Sequence, residues 1–159
     1  MRAAQVQITN YFVSELQFTA NRSFDVSKPS VVTVDDLQVH TTATAKDEER
    51  ADWQITLRVA LDAPPDQNAP YSFLLEMIGF IHVDESVSED RTERFARING
   101  TSLVFSAARE IVKAATARGP FPPLLLPTVT FWEPKRDAPE KEPTSAVVGG
   151  TSPTGDPTR

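Results

Sequence analysis

Alternation of apolar and polar side chains organises the first half of the chain. From Trp53 to Asp62 every odd position is apolar and most even ones are polar, the pattern of an antiparallel strand with one buried face. Ala63 to Pro70 carries three prolines, which remove ladder donors, so the strand must turn back there. Tyr71 to Val83 predicts the next strand, with Tyr71, Phe73, Leu75, Met77, Ile81 and Val83 on one face and Leu74, Ile78 and Phe80 on the other. A strand apolar on both sides needs cover on both; it comes either from another subunit or from the domain's own helix and tail. Upstream, Ala4 to Thr19 reads as a strand in which Val6, Ile8 and Phe12 share a parity and Val13 does not, so a bulge is expected near Val13-Ser14. Asn21 to Pro29 predicts a loop. Val31 to Val34 and Leu37 to Thr41 predict a β-rich stretch kinked at Asp35-Asp36, and Ala45 to Arg50 a solvated hairpin tip.

The period then changes from two to between three and four. Ser88 is placed to cap a short helix with Glu89 and Asp90 in its first turn and Phe95 and Ile98 inward. Thr101 or Ser102 is placed to cap a longer one, along which Val104, Ala108, Ile111, Val112 and Ala115 recur. Arg118-Gly119-Pro120 supplies a cation near the last carbonyls, a residue tolerant of left-handed backbone, and a breaker. Phe121 to Pro127 holds four further apolar residues among its prolines and must be extended, along a groove or against the sheet. These elements predict one domain over residues 1–132, strand-rich in its first half and helical after it. Residues 133–159 shift to Pro, Gly, Ser, Thr and charge and predict a disordered tail.

Composition narrows the function. Twenty-two acids against sixteen bases give a formal charge of −6, which argues against nucleic acid and against anionic membrane surfaces as partners. The chain has no Cys, hence no disulfide, thiolate nucleophile or thiolate metal site. No apolar run approaches the ~20 residues that cross a bilayer, and the polar–apolar alternation at the N-terminus differs from a secretory signal. A soluble, cytoplasmic protein without membrane insertion is expected. The two histidines, His40 and His82, lie in separate predicted strands, and the acidic clusters Asp35-Asp36, Asp47-Glu48-Glu49, Asp84-Glu85 and Glu89-Asp90 lack the alternating ligands of a calcium loop. No Gly-rich phosphate loop occurs. Neither a catalytic residue, a metal site nor a cofactor is expected. What stands out is surplus apolar surface, at Leu74, Ile78 and Phe80 and at Phe121 with Leu124 to Leu126, the mark of an oligomer contact or a groove for extended peptide.

Asn99-Gly100-Thr101-Ser102-Leu103-Val104-Phe105-Ser106-Ala107-Ala108-Arg109-Glu110, followed by Ala117-Arg118-Gly119-Pro120-Phe121-Pro122-Pro123-Leu124-Leu125-Leu126-Pro127, resembles the SecB family of protein-export chaperones. That family carries an N-x-[small or apolar]-L-F-P-x-A-R-E helix start and an R-G-x-F-P-x-L-x-L-x-P exit. Val13 to Phe18, Trp53 to Ala63 and Phe73 to Glu76 look like its first, third and fourth strands, so the likeness runs in order over residues 5–131.

The resemblance implies an α+β fold, a four-stranded antiparallel sheet followed by a long helix, with sheets joined in pairs and pairs stacked through helices, a homodimer or homotetramer. It implies an ATP-independent holdase that binds non-native polypeptides and keeps preproteins competent for Sec-dependent export. By position, Val39, Phe121, Leu124 and Leu126 would line or border the client groove, and Glu15, Leu74 and Glu76 would contact the motor ATPase SecA. Thr19 stands where the family carries another acid, Ser106 where it has Pro, and a Pro-rich stretch where it has a second helix. A form dedicated to one client, such as an antitoxin of a toxin–antitoxin system, is the alternative, with a non-chaperone adaptor on the same fold and a small metal-dependent hydrolase behind it.

Overall fold

In a computed structural model, residues 4–30, 32–46, 51–64 and 67–131 are described; the expected tail and the expected tip at 47–50 lie outside them. Four strands, β1 (Val6–Ala20), β2 (Gln38–Ala45), β3 (Asp52–Leu61) and β4 (Tyr71–Val83), make one antiparallel sheet in the order β1-β4-β3-β2. Helix α1 (Glu89–Phe95) runs through a wider π-helical turn (Ala96–Gly100) into α2 (Thr101–Thr116). The helix lies across one sheet face, which puts the core between them. Ile55, Leu57, Val59, Leu75, Met77 and Ile81 meet Val104, Ala108 and Val112 there. Each large core side chain contributes roughly 1.5–3 kcal/mol by leaving water.

Period two is followed closely in the central strands. Every odd residue of β3 and β4 is buried and no even one is. Gly79 belongs to the buried row because a Cβ there would collide with Val104 of the crossing helix. The helix-free face is only half-buried at Leu74, Ile78 and Phe80, so among the described residues the domain covers one face of β4 and leaves the other open.

Strand β1 departs from simple alternation twice. Its register against β4 slips between Ile8 and Asn10 and again between Val13 and Glu15. The second slip is the expected bulge; the first was not legible. The residues left over are Thr9 and Ser14, and each hydroxyl donates to a β4 carbonyl, of Phe80 and Glu76 respectively, at 3.2 Å. Two parity changes place Tyr11, Val13 and Leu16 on the helix side and turn Phe12 away from Val6 and Ile8, beside Phe80 at 6.1 Å between ring centroids.

Three expectations are corrected. Residues 32–36 are not strand: Asp36 accepts from both the N–H and hydroxyl of Thr33, and Leu37 N–H donates to Val34, a local turn that outcompetes a ladder. No cap separates the two helices, since Thr101 is buried within a continuous helix and Ser102 donates back to Ile98 C=O at 2.7 Å. Gly119 ends the helix without left-handed backbone; its small size matters because a Cβ would strike the Tyr71 hydroxyl. The cation at that end behaves as expected, with Arg118 donating to Ala114 C=O at 2.9 Å.

Candidate functional site

Two of the large apolar side chains stand out as the most exposed among the described residues, Val26 at 72% and Leu125 at 65%. They line the same groove, about 310 Å³, together with Phe24, Val32, Pro122 and Leu124. One wall is the loop that follows β1, the other the proline-rich exit after α2.

The exit wall is extended because proline removes helical options, and extension alternates its side chains. Leu124 and Leu126 point inward at 4% and 2% exposure, and Leu125 between them points out. The strand-like run is tied to α2 by Arg109, which donates to Leu126 C=O at 3.1 Å, and by Thr116, whose hydroxyl accepts from Leu124 N–H at 2.9 Å. At its start Phe121 packs its ring on Tyr71 and Phe24, 6.0 and 5.1 Å between centroids.

The loop wall is held by Asn68, whose side-chain NH2 shares its two protons among the carbonyls of Asp25, Lys28 and Pro29 at 3.1 to 3.3 Å and whose carbonyl accepts from Asp25 N–H at 2.9 Å. Within the loop, the Ser27 hydroxyl and N–H hold the Asp25 carboxyl below its ordinary value. The Thr33 N–H, helped by its hydroxyl, does the same for Asp36.

Of the four residues expected at the groove, Phe121 borders it and Leu124 forms its floor. Leu126 lies in the core, and half-buried Val39 sits on β2 outside the lining. Val26 and Phe24 were missed, and Leu125, counted with its neighbours as surplus apolar surface, was left out of the groove positions. Period-two alternation across Leu124-Leu125-Leu126 was the available signal for Leu125; nothing local in Phe24 or Val26 marks them, because a loop brings them there.

On the helix-free face the sheet register places Glu15 opposite Glu76 and Gln17 opposite Leu74, so the three residues expected at a SecA contact are neighbours. Glu76 accepts from Ser14 at 3.0 Å and faces Arg58 at 3.5 Å. Beyond them Phe12, Ile78 and Phe80 continue as an apolar stripe, with Lys46 over the Phe80 ring at 4.6 Å. The histidines stay apart: His40 is exposed on β2, while His82 lies 2.9 Å from Asp52. Among the described residues no three His, Asp or Glu side chains gather as an ion-binding group, and no helix is long and apolar enough to cross a membrane.

The family model described as preprotein translocase subunit SecB covers residues 1–133. The chain belongs to the SecB family. A protein-export protein SecB of Afipia carboxidovorans is 28% identical over 127 residues, 80% of this chain and 78% of that protein. Among solved structures, the SecB-like chaperone Rv1957 of Mycobacterium tuberculosis, in complex with a ChAD peptide from the HigA1 antitoxin, matches with a TM-score of 0.55 at 13% identity, over 81% of this chain and 94% of that one. The last likeness is one of fold: four antiparallel strands and a C-terminal helix. Membership in the SecB family supports a chaperone role, and members of that family are chaperones rather than enzymes.

Proposed function

We propose that this SecB-family chain is an ATP-independent holdase whose groove takes up extended stretches of unfolded polypeptide, preproteins awaiting Sec-dependent export among them. The observation that carries the reading is the convergence of Val26 and Leu125, the two most exposed large hydrophobics, on one groove. Such side chains stay in water at a cost unless another chain covers them. Capture through many interchangeable apolar contacts tolerates varied sequence, and the net charge of −6 favours clients with basic segments. In this reading Phe121 and Leu125 meet the client and Leu124 is the floor, while Leu126 and Val39 serve the core beneath the sheet.

Four of the five remaining exposed large apolar residues, all but Val34, support self-association. Tyr11, Phe12, Val13 and Leu16 all lie on β1, an edge strand with an unpaired side among the described residues, so a second copy joining there would cover them and close the edge. The cluster of Glu15, Leu74 and Glu76 is the surface we assign to SecA, and the protein's place is the cytoplasm. The alternative of one dedicated client, such as an antitoxin, is favoured by Thr19. Paired with Ser72 at the end of that same face, it leaves a neutral hydroxyl where the family carries an acid, which weakens a handover to SecA. The Rv1957 structure gives that alternative a precedent, since its bound peptide comes from an antitoxin.

The test is suppression of aggregation of an unrelated denatured protein at stoichiometric ratio, with and without Leu125→Arg. Protection by the wild type and its loss in the variant are expected. Protection of a single cognate client and no other would favour the dedicated form, and no protection of any client would leave the adaptor.

A further inference from the structure

Both walls of the groove are tied to one short stretch of chain. Residues 68–71 lead into β4, and the two side chains at its ends reach in different directions. The Asn68 side chain is bonded to the backbone of Asp25, Lys28 and Pro29 on either side of Val26. Tyr71, 3% exposed, directs its ring against Phe121 and its hydroxyl to the other wall. That hydroxyl accepts from Phe121 N–H at 3.0 Å and lies 2.9 Å from Phe121 C=O and 3.2 Å from Thr116 C=O, the last residue of α2, either of which can take its proton. Gly119 is pressed against the same ring from outside, which leaves the hydroxyl no room to swing away on that side.

We infer that Asn68 and Tyr71 are the positioning residues of the client groove: one fixes the loop wall, the other the exit wall, and together they set the gap between them. The inference rests on the groove being the client site. Its physical basis is that both walls are irregular backbone. The described residues of 21–37 and 119–131 lie in neither strand nor helix and are held by turns, by the Asn21 N–H bond to Pro70 C=O at 2.9 Å and by side-chain ties, so the width of the groove depends on the few groups that hold those backbones. Neither residue needs to touch the client. A groove held at one width gives up less conformational entropy when a peptide enters than one that must be ordered first.

The experiment uses the full chain and a fluorescein-labelled, unstructured synthetic peptide rich in Leu and Phe with two Lys. Tyr71→Phe keeps the ring and removes the hydroxyl; Asn68→Ala frees the loop. Each is expected to weaken peptide binding roughly three- to tenfold, the size of one or two lost hydrogen bonds. Amide exchange should accelerate locally, at Phe121 and Leu124 in Tyr71→Phe and at Asp25 in Asn68→Ala, while β3 and β4 stay protected. Should Tyr71→Phe fail to fold, Gly119→Ala pushes on the hydroxyl from outside and should accelerate exchange at the same two amides. Accelerated local exchange with unchanged peptide affinity would overturn the proposal, and so would unchanged exchange. Leu125→Arg separates the two levels. If it abolishes binding while the positioning variants bind like wild type, the groove stands and the positioning role falls; if it binds like wild type, the groove itself is not the client site.

Discussion

The two faces of the sheet are built from the same four strands and behave oppositely. On the helix side, the odd residues of β3 and β4 are sealed under α2, and a side chain there answers only to packing. On the other side Leu74, Glu76, Ile78 and Phe80 sit half in water, mixed with Arg58 and Glu15. A closed face needs shape and volume; an open one can carry both charge and grease because none of the described helices packs on it. The exit segment repeats the contrast on a smaller scale, with Leu124 and Leu126 in the core and Leu125 in the groove.

The largest expected difference follows from that contrast. Leu57→Ala should cost about 2–5 kcal/mol of stability in a denaturant melt, whereas Ile78→Ala on the open face should cost under about 1 kcal/mol. Equal losses would mean that the open face is covered in solution. Next, Leu124→Ala should also cost about 2–5 kcal/mol, while Leu125→Ala should leave the melt within about 0.5 kcal/mol and weaken peptide binding. A reversal of that order would put the wrong leucine in the groove.

Acid sharpens the same division more gently. Hydrogen bonds from Ser27, Thr33 and Ser86 depress the carboxyls of Asp25, Asp36 and Asp84 below their ordinary 3.8 in the fold. Their contribution is therefore present above pH 3.8 and fades as pH falls through the lower folded values. Backbone N–H resonances of Ser27 and Thr33 should shift in that range, before those of β3. Simultaneous loss of loop and sheet signals would contradict it. The smallest effect is expected at the helix end, where Arg118→Ala removes a cation bonded to Ala114 C=O and should lower stability by about 0.3–1 kcal/mol.

How much of this was legible in the sequence depended on how local its cause was. The sealed row from Trp53 to Leu61 follows from alternation, while the ends of β3 and β4 fall within one residue of where the prolines of 63–70 and the charge after Val83 put them. The bulge at Ser14 was visible as a parity change, but the one at Thr9 was not, since an apolar Tyr11 or Phe12 satisfies either face. The turn at residues 32–36 was hidden by its β-branched residues and decided by the single carboxylate of Asp36. Family motifs placed the groove near the exit. They could not tell Leu125 from its neighbours or bring in Val26 and Asn68, whose roles arise only when two distant loops meet.

The account turns on one property, that the groove beside Leu125 takes up unfolded chain. Fluorescence anisotropy of the labelled peptide, titrated with wild type and with Leu125→Arg, measures it directly. Saturable binding that the substitution removes, with an unchanged melting curve, is the expected result. Binding that ignores the substitution, or no binding by the intact protein, would contradict it.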